Sequence, residues 1–241
     1  MASTSPLPEA FDFLLEVERF YACLMAGCAA AETGLGGKLL YVGELDASAR
    51  ALLVAANTAG TASLTATADL AAQKQAMRNG VVDFLVTSLD EALRILKNEV
   101  RKHETVAVCV ALAPDAVERE MQERGVLPDL TRSGLWQPAE EAETLLAWRV
   151  TKAPAMWLPY LDALASSCLD EAARRWLRQV PRYLGRLAPG LRVLRCETGC
   201  ASKFIALVEE RVECDEIAVG VEIWCVSQGE TVAQSFQPPK R

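Results

Sequence analysis

Apolar and polar residues follow two alternating periods along the first half of the chain. Short runs rich in β-branched and apolar residues predict strands at 38–43, 62–68, 81–87, 105–113 and 126–131. Stretches with apolar residues at helical spacing predict helices near 47–58, 70–79, 89–102 and 115–124. Strands that alternate with helices over short connections build a parallel sheet covered on both faces. The pattern therefore predicts an α/β protein with a doubly wound, five-stranded, Rossmann-like sheet.

The segments on either side of this sheet follow other patterns. Residues 9–31 predict one amphipathic helix that ends at a glycine-rich loop. We place a connection over about 133–156, then helices near 155–168 and 170–187, the second interrupted by Pro181. The tail predicts antiparallel strands, with 204–212 readable as strand or helix and a loose end from 234. The expected organisation is an N-terminal helix (1–36), the Rossmann-like domain (37–135) and an α+β extension (150–241).

Composition narrows the class of protein. Apolar residues make up 51% of the chain, and its formal charge is −7. A negative chain lacks the broad basic face that nucleic acids and anionic membranes require, so we expect neither as a partner. The N-terminus has no signal-peptide pattern, and no apolar run reaches the roughly 20 residues of a membrane span, so we expect a cytoplasmic protein.

The eight cysteines include no CxxC pair, which favours reduced thiols over a disulfide framework. Cys196, Cys200, Cys214 and Cys225 could supply four zinc thiolates. Their spacings match zinc ribbons and fingers poorly, so we expect no metal site.

The turn after the first predicted strand is the place where dinucleotide-binding folds put a run of glycines. Here it reads Gly43-Glu44-Leu45-Asp46, with one glycine and two acids. Glu44 and Asp46 would lie within about 5 Å of a bound phosphate, and each would repel it by about 3 kcal/mol. Asp46 is also the predicted N-cap of the next helix, with Arg50 one turn on as its partner. We therefore expect a capped turn and no NAD.

Other polar residues follow the remaining strands at the same edge of the sheet. Asp69 ends the second strand and is a predicted N-cap, as is Asp115 before a later helix. Thr87 and Ser88 follow the third strand, and Ser88 with Glu91 has the spacing of a capping box. With Arg132 nearby, these side chains could line a crevice around Gly43, Glu44 and Asp46. Such a crevice suits a small ligand without a pyrophosphate, and its acids favour a cationic one.

Arginines are concentrated in the C-terminal half. Arg174, Arg178, Arg182 and Arg186 recur at every fourth residue, which predicts one basic stripe along a helix. The stripe could bind a phosphate, an acidic partner, or the acidic half of its own chain.

Several sequence segments between residues 13 and 131 resemble those of one enzyme family. A helix ends in glycines, and a strand and the turn at 43–46 follow. Asp69 closes the second strand, Ser88-Leu-Asp-Glu-Ala-Leu93 opens a helix, VAVCVALA forms a strand, and a helix runs to EREMQERGVLPDLTR. This order and these strings resemble the NAD-binding domain of urocanase (urocanate hydratase), over about half the chain.

The resemblance implies a Rossmann-like scaffold and, in the family, a G-L-G-G-M-G-G-A-Q turn that binds NAD. Residues 44–52 stand in that place here, and every glycine is replaced. The larger urocanase domain, with its substrate-binding residues and catalytic acid, has no recognisable counterpart. We therefore expect a non-catalytic binding or assembly module in place of urocanase activity. The alternative is a small-molecule enzyme or sensor at Glu44 and Asp46. Because the helix at 47–58 is apolar nearly all round, self-association into a homodimer is also expected.

Overall fold

The computed structural model describes residues 8, 10–26, 34–135, 144–184, 187–227 and 230–239. They fall into two compact units. The parallel-sheet unit comprises the described residues of Glu16–Ala139 and Arg182–Arg186. The antiparallel-sheet unit comprises those of Met1–Leu15, Glu140–Pro181 and Leu187–Arg241.

The parallel-sheet unit follows the predicted alternation of strands and helices. Helix α1 (Phe11–Ala26) enters this unit at Glu16, and the predicted continuation of that helix to 31 lies outside the described residues. The elements that follow are β1 (Leu39–Glu44), α2 (Ala47–Ala59), β2 (Ala62–Ala66), α3 (Leu70–Asn79), β3 (Phe84–Val86), α4 (Leu89–Lys102), β4 (Val106–Val110), α5 (Pro114–Glu123), β5 (Leu130–Thr131) and a 3₁₀ turn (Arg132–Gly134).

The five strands are all parallel and lie in the order β3-β4-β2-β1-β5. Right-handed crossovers put α2 and α3 on one face and α4 and α5 on the other. On the second face, Leu64 and Val108 of the sheet pack with Leu93 and Leu96 of α4 and Val117 of α5. The doubly wound α/β fold is confirmed.

Helix α2 is buried along almost its whole length, from Ala49 to Ala59. Its small and aliphatic side chains let it lie close to β1 and β2, both of which it contacts. Gly60 ends the helix with φ of 91°, a left-handed conformation that favours glycine. The chain covers this apolar helix by itself, so burying α2 needs no second copy.

The antiparallel-sheet unit contains four strands in the order β7-β6-β8-β9. Its elements are β6 (Thr144–Val150), α6 (Pro154–Ser166), α7 (Glu171–Leu184, of which the part to Pro181 belongs here), β7 (Leu191–Cys196), α8 (Thr198–Glu213), β8 (Val221–Ser227) and β9 (Glu230–Phe236). Trp148 of β6 packs on Phe204 of α8 with ring centroids 5.0 Å apart. The α+β character predicted for the C-terminal region is confirmed.

Several local predictions in this region were wrong. The strand reading of 204–212 fails because Phe204, Val208 and Val212 recur at every fourth residue and are buried along one face of α8. Pro181 does not interrupt α7, which runs three residues past it, since a proline near a helix end removes little of the hydrogen bonding. The predicted connection contains strand β6, and the predicted loose end contains the last three residues of β9.

Candidate functional site

The candidate site lies at the carboxyl edge of the parallel sheet, where β1 and β5 are neighbours. Gly43, Glu44 and Asp46 follow β1, Asp69 follows the adjacent β2, and Arg132 follows β5. Thr87 and Ser88 follow β3 at the far end of the sheet, three strand positions from β1. At about 4.8 Å per strand this separation is roughly 14 Å. The structure therefore does not bring Thr87 and Ser88 into one crevice with Asp46.

A bulge shapes the end of β1. The pairing of β1 with β2 shifts register between Tyr41 and Gly43. Gly43 adopts φ of 81°, and a Cβ at this position would meet nothing within 4 Å. Thr65 Oγ1 donates to the Gly43 carbonyl at 2.9 Å and secures the bulge. Glycine is required here for its left-handed backbone and not for lack of space.

Asp46 closes the turn with both of its carboxylate oxygens. Oδ1 accepts from the backbone N–H of Ala49 at 2.7 Å, the N-cap bond that the sequence predicts. Oδ2 accepts from Arg132 Nη1 at 2.9 Å, so the predicted partner Arg50 is wrong. Partial burial would raise the pKa of Asp46, but the hydrogen bonds from Arg132 and Ala49 outweigh it and hold that pKa below its usual value. The carboxylate therefore stays ionised and occupies the start of α2.

Two of the other predicted helix caps, Asp69 and Ser88, each accept one hydrogen bond from a backbone N–H. Asp69 Oδ1 accepts from the Ala71 N–H at 2.7 Å. Ser88 Oγ accepts from the Glu91 N–H at 3.3 Å, which confirms the cap, while Thr87 is exposed. Asp115 was wrongly predicted as an N-cap, because α5 begins at Pro114 after Ala113. Asp69 and Ser88 therefore stabilise helix starts, whereas Asp46 caps a helix and also forms an ion pair.

A cleft of about 740 Å³ opens beside β1, β5 and α5. One end carries a polar pair, in which the Tyr41 hydroxyl donates to Glu118 Oε1 at 3.2 Å. Burial, followed by the nearby Glu118 carboxylate, raises the pKa of Tyr41, so this phenol stays protonated. The cleft is lined by Tyr41, Val42, Gly43, Glu118, Met121, Gln122, Val126, Leu127, Pro128, Thr131, Arg132 and Ser133.

Tyr41 and Glu118 were not among the residues predicted from the sequence for this site. They are 77 positions apart and meet because α5 packs on the face of the sheet where Tyr41 lies, as its residues Val117 and Met121 share a core cluster with Tyr41. A tyrosine within an otherwise aliphatic strand was the available signal, since a buried phenol usually has a hydrogen-bond partner. Gly43 and Arg132 are the two predicted residues that line the cleft.

The basic stripe of α7 has partners within its own helix. Arg174 and Arg178 both pair with Glu171, at 3.5 Å and 2.7 Å. The Arg182 guanidinium lies 5.5 Å from the centre of the Tyr183 ring. Arg186 lies outside the described residues.

Two kinds of feature are absent from the part of the chain that the structure describes. Across the described ranges, no group of three or more histidine, cysteine and acidic side chains has an arrangement that could hold a metal ion. In the same part of the chain, no helix combines the length and apolarity needed to cross a bilayer. No protein-family model matches the sequence.

Proposed function

We propose that this chain is a non-catalytic binding or assembly module, built on a scaffold like the NAD-binding domain of urocanase, that no longer takes NAD. The observation that carries the proposal is the closure of the turn after β1, where Asp46 caps α2 and pairs with Arg132. In dinucleotide-binding sheets, the pyrophosphate lies at the start of this helix and receives its free N–H groups. Here a carboxylate of the chain occupies that position.

Admitting a phosphate would be unfavourable for two reasons. The Asp46 cap and its ion pair with Arg132 would have to open, at about 1 kcal/mol for the cap and up to about 1 kcal/mol for the pair. The phosphate would then lie near Glu44 and Asp46, each repelling it by about 3 kcal/mol at 5 Å and an effective dielectric near 20. Together these terms exceed what one freed arginine at a partly exposed site recovers.

A thermal-shift screen of the full chain with NAD, nucleotides and imidazole metabolites tests this proposal. We expect no concentration-dependent rise in Tm with NAD, because a ligand stabilises a protein only by binding its folded state. A saturable NAD-dependent rise would overturn the proposal. Turnover of urocanate by the purified protein would overturn its non-catalytic part.

The assembly part of the proposal is supported by β3, which is an edge strand of the sheet with no partner on its outer side among the residues that the structure describes. Four large apolar side chains are exposed there and on α3, which contacts β3: Leu70 (65%), Met77 (41%), Phe84 (47%) and Leu85 (40%). An unpaired strand edge beside apolar side chains suits an isologous contact with a second copy. Light scattering during size exclusion should report a dimer that Leu85→Lys converts to a monomer. A monomeric wild-type protein would count against self-association.

Small-molecule binding is the second candidate function, and the cleft beside β1 favours it. Its volume of about 740 Å³ falls within the range of roughly 300–1,000 Å³ usual for small-ligand sites. Its lining combines apolar side chains with a few polar groups, as such sites do. The cleft replaces the acidic crevice at Glu44 and Asp46 as the place for such a ligand, because the carboxylate of Asp46 is already engaged.

A further inference from the structure

The cleft beside β1 has one carboxylate, that of Glu118, which no basic side chain neutralises within the described part of the chain. Among the residues that the structure describes, Glu118 forms no salt bridge, and its hydrogen-bond partner is the neutral hydroxyl of Tyr41. The basic residue in the lining, Arg132, is paired with Asp46 at 2.9 Å. The charge presented to a ligand in this cleft is therefore negative.

The residues around Tyr41 add to the negative charge near the cleft. After burial, the causes that raise the pKa of Tyr41 are the carboxylates of Glu118, Asp115 and Glu44. Three acids thus act on a phenol that is only 8% exposed. Its hydroxyl uses its proton for Glu118, so its oxygen still has lone pairs that can accept from a ligand N–H.

Much of the remaining lining of the cleft is apolar, although Gln122, Thr131 and Ser133 also line it. Val42, Met121, Val126, Leu127 and Pro128 contribute hydrocarbon surface. Leu127 is 87% exposed, so its side chain is available to cover a bound molecule. The space above Gly43 is open. A ligand that fits both the apolar lining and the Tyr41–Glu118 pair has a hydrocarbon body and one positively charged hydrogen-bond donor.

We propose that this cleft binds a small organic ammonium ion. The ammonium donates to the Glu118 carboxylate and to the phenol oxygen of Tyr41, while the hydrocarbon part packs against Met121 and Val126. The inference rests on small-molecule binding, the second function proposed above, and adds the chemical class of the ligand. A primary ammonium on an aryl or alkyl body supplies three N–H donors, and it fits this pair better than an anion or a neutral alcohol.

Calorimetric titration of the full chain with three molecules of similar shape tests the charge preference. The probes are 2-phenylethylammonium, 2-phenylethanol and phenylacetate. We expect the ammonium to bind, the alcohol to bind at least about tenfold more weakly, and the carboxylate to give no saturable heat, since one charge-assisted hydrogen bond is worth about tenfold or more. Equal affinity for all three, or no binding of the ammonium at about 10 mM, overturns the inference.

Variants locate the site. Glu118→Gln keeps the shape of the side chain and should weaken the ammonium about tenfold or more, while Tyr41→Phe should weaken it severalfold. Glu123→Gln is the matched control, because Glu123 is an exposed acid of the same helix outside the cleft lining, and it should leave the affinity unchanged. Equal losses for Glu118→Gln and Glu123→Gln would mean a general charge effect and overturn the site. Binding of NAD would overturn the proposed closure of the turn after β1, but it would not decide whether the cleft binds an ammonium ion, which these titrations measure.

Discussion

Two aspartate–arginine pairs, Asp46–Arg132 in the parallel-sheet unit and Asp162–Arg192 in the antiparallel-sheet unit, differ in burial and therefore in behaviour. Asp46 and Arg132 meet at 2.9 Å with side chains 47% and 32% exposed, whereas Asp162 and Arg192 meet at 3.1 Å with side chains 15% and 9% exposed. Hydrogen bonds hold the pKa of Asp46 below its usual value against partial burial. Burial raises the pKa of Asp162 to about 6 despite its arginine.

The contrast shows what each pair can do. Two charges at the surface lose little hydration, so the Asp46 pair can close a turn and still open at small cost. Two buried charges lose most of their hydration, and each then depends on the other. The Asp46–Arg132 pair is therefore part of the candidate site, whereas the Asp162–Arg192 pair is part of the core of the antiparallel-sheet unit.

The largest effect should come from breaking the buried pair. Arg192→Met leaves the buried carboxylate of Asp162 without its cation and should lower the free energy of unfolding by about 3–5 kcal/mol at pH 7. Urea denaturation measures this change. The matched variant Arg132→Met in the exposed pair should cost no more than about 1 kcal/mol. Similar losses for both variants would mean that burial does not separate the two pairs.

The pH dependence of stability should have opposite signs for the two aspartates. Asp162 has a raised folded pKa, so its contribution is fully present below 3.8 and is lost as the pH rises towards about 6. The change is about 3 kcal/mol, because each pH unit between 3.8 and about 6 corresponds to about 1.4 kcal/mol. Asp46 has a lowered folded pKa, so its contribution is present above 3.8 and is lost as the pH falls through the folded value.

Urea denaturation of the wild type, Asp162→Asn and Asp46→Asn between pH 3 and pH 7 separates these contributions. In the wild type, the free energy of unfolding should fall as the pH rises from 4 to 6, and Asp162→Asn should remove this fall. It should also rise as the pH rises towards about 4, and Asp46→Asn should remove this rise. Matching pH profiles for the wild type and Asp162→Asn would contradict the assignment to Asp162.

The helix caps Asp46 and Asp69, which follow neighbouring strands, should differ less in their contribution to stability. Asp46→Ala loses a cap and an ion pair and should cost about 1.5 kcal/mol, while Asp69→Ala loses a cap and should cost about 1 kcal/mol. Thermal unfolding of both variants under one set of conditions measures the difference. A larger loss for Asp69→Ala would show that the pair with Arg132 adds no stability.

The smallest effect expected is a gain of anion binding. Asp46→Asn removes a negative charge and frees Arg132 at the start of α2, so inorganic phosphate should bind the variant weakly, in the millimolar range, and the wild type not at all. Phosphorus NMR line broadening measures this binding, with Asp69→Asn as the control. Binding of phosphate to the wild type would mean that the turn is already open to anions.

The local elements of the parallel sheet could be predicted because their signals lie close together in sequence. The bounds of α3 and α4 match their predictions, since Asp69 and Ser88 cap them and Gly80 ends the first. The order of the strands depends on contacts distant in sequence, which is why Thr87 and Ser88 were placed in the same crevice as Asp46. The pairs Asp46–Arg132 and Tyr41–Glu118 span 86 and 77 positions, and no local pattern encodes them.

A calorimetric titration of NAD into the full wild-type chain shows whether the turn after β1 is closed to a dinucleotide. If Asp46 and Arg132 close the turn after β1, the titration gives no saturable heat up to about 5 mM NAD. Saturable binding with a micromolar Kd would contradict the account, because the pyrophosphate would then have displaced the Asp46 cap.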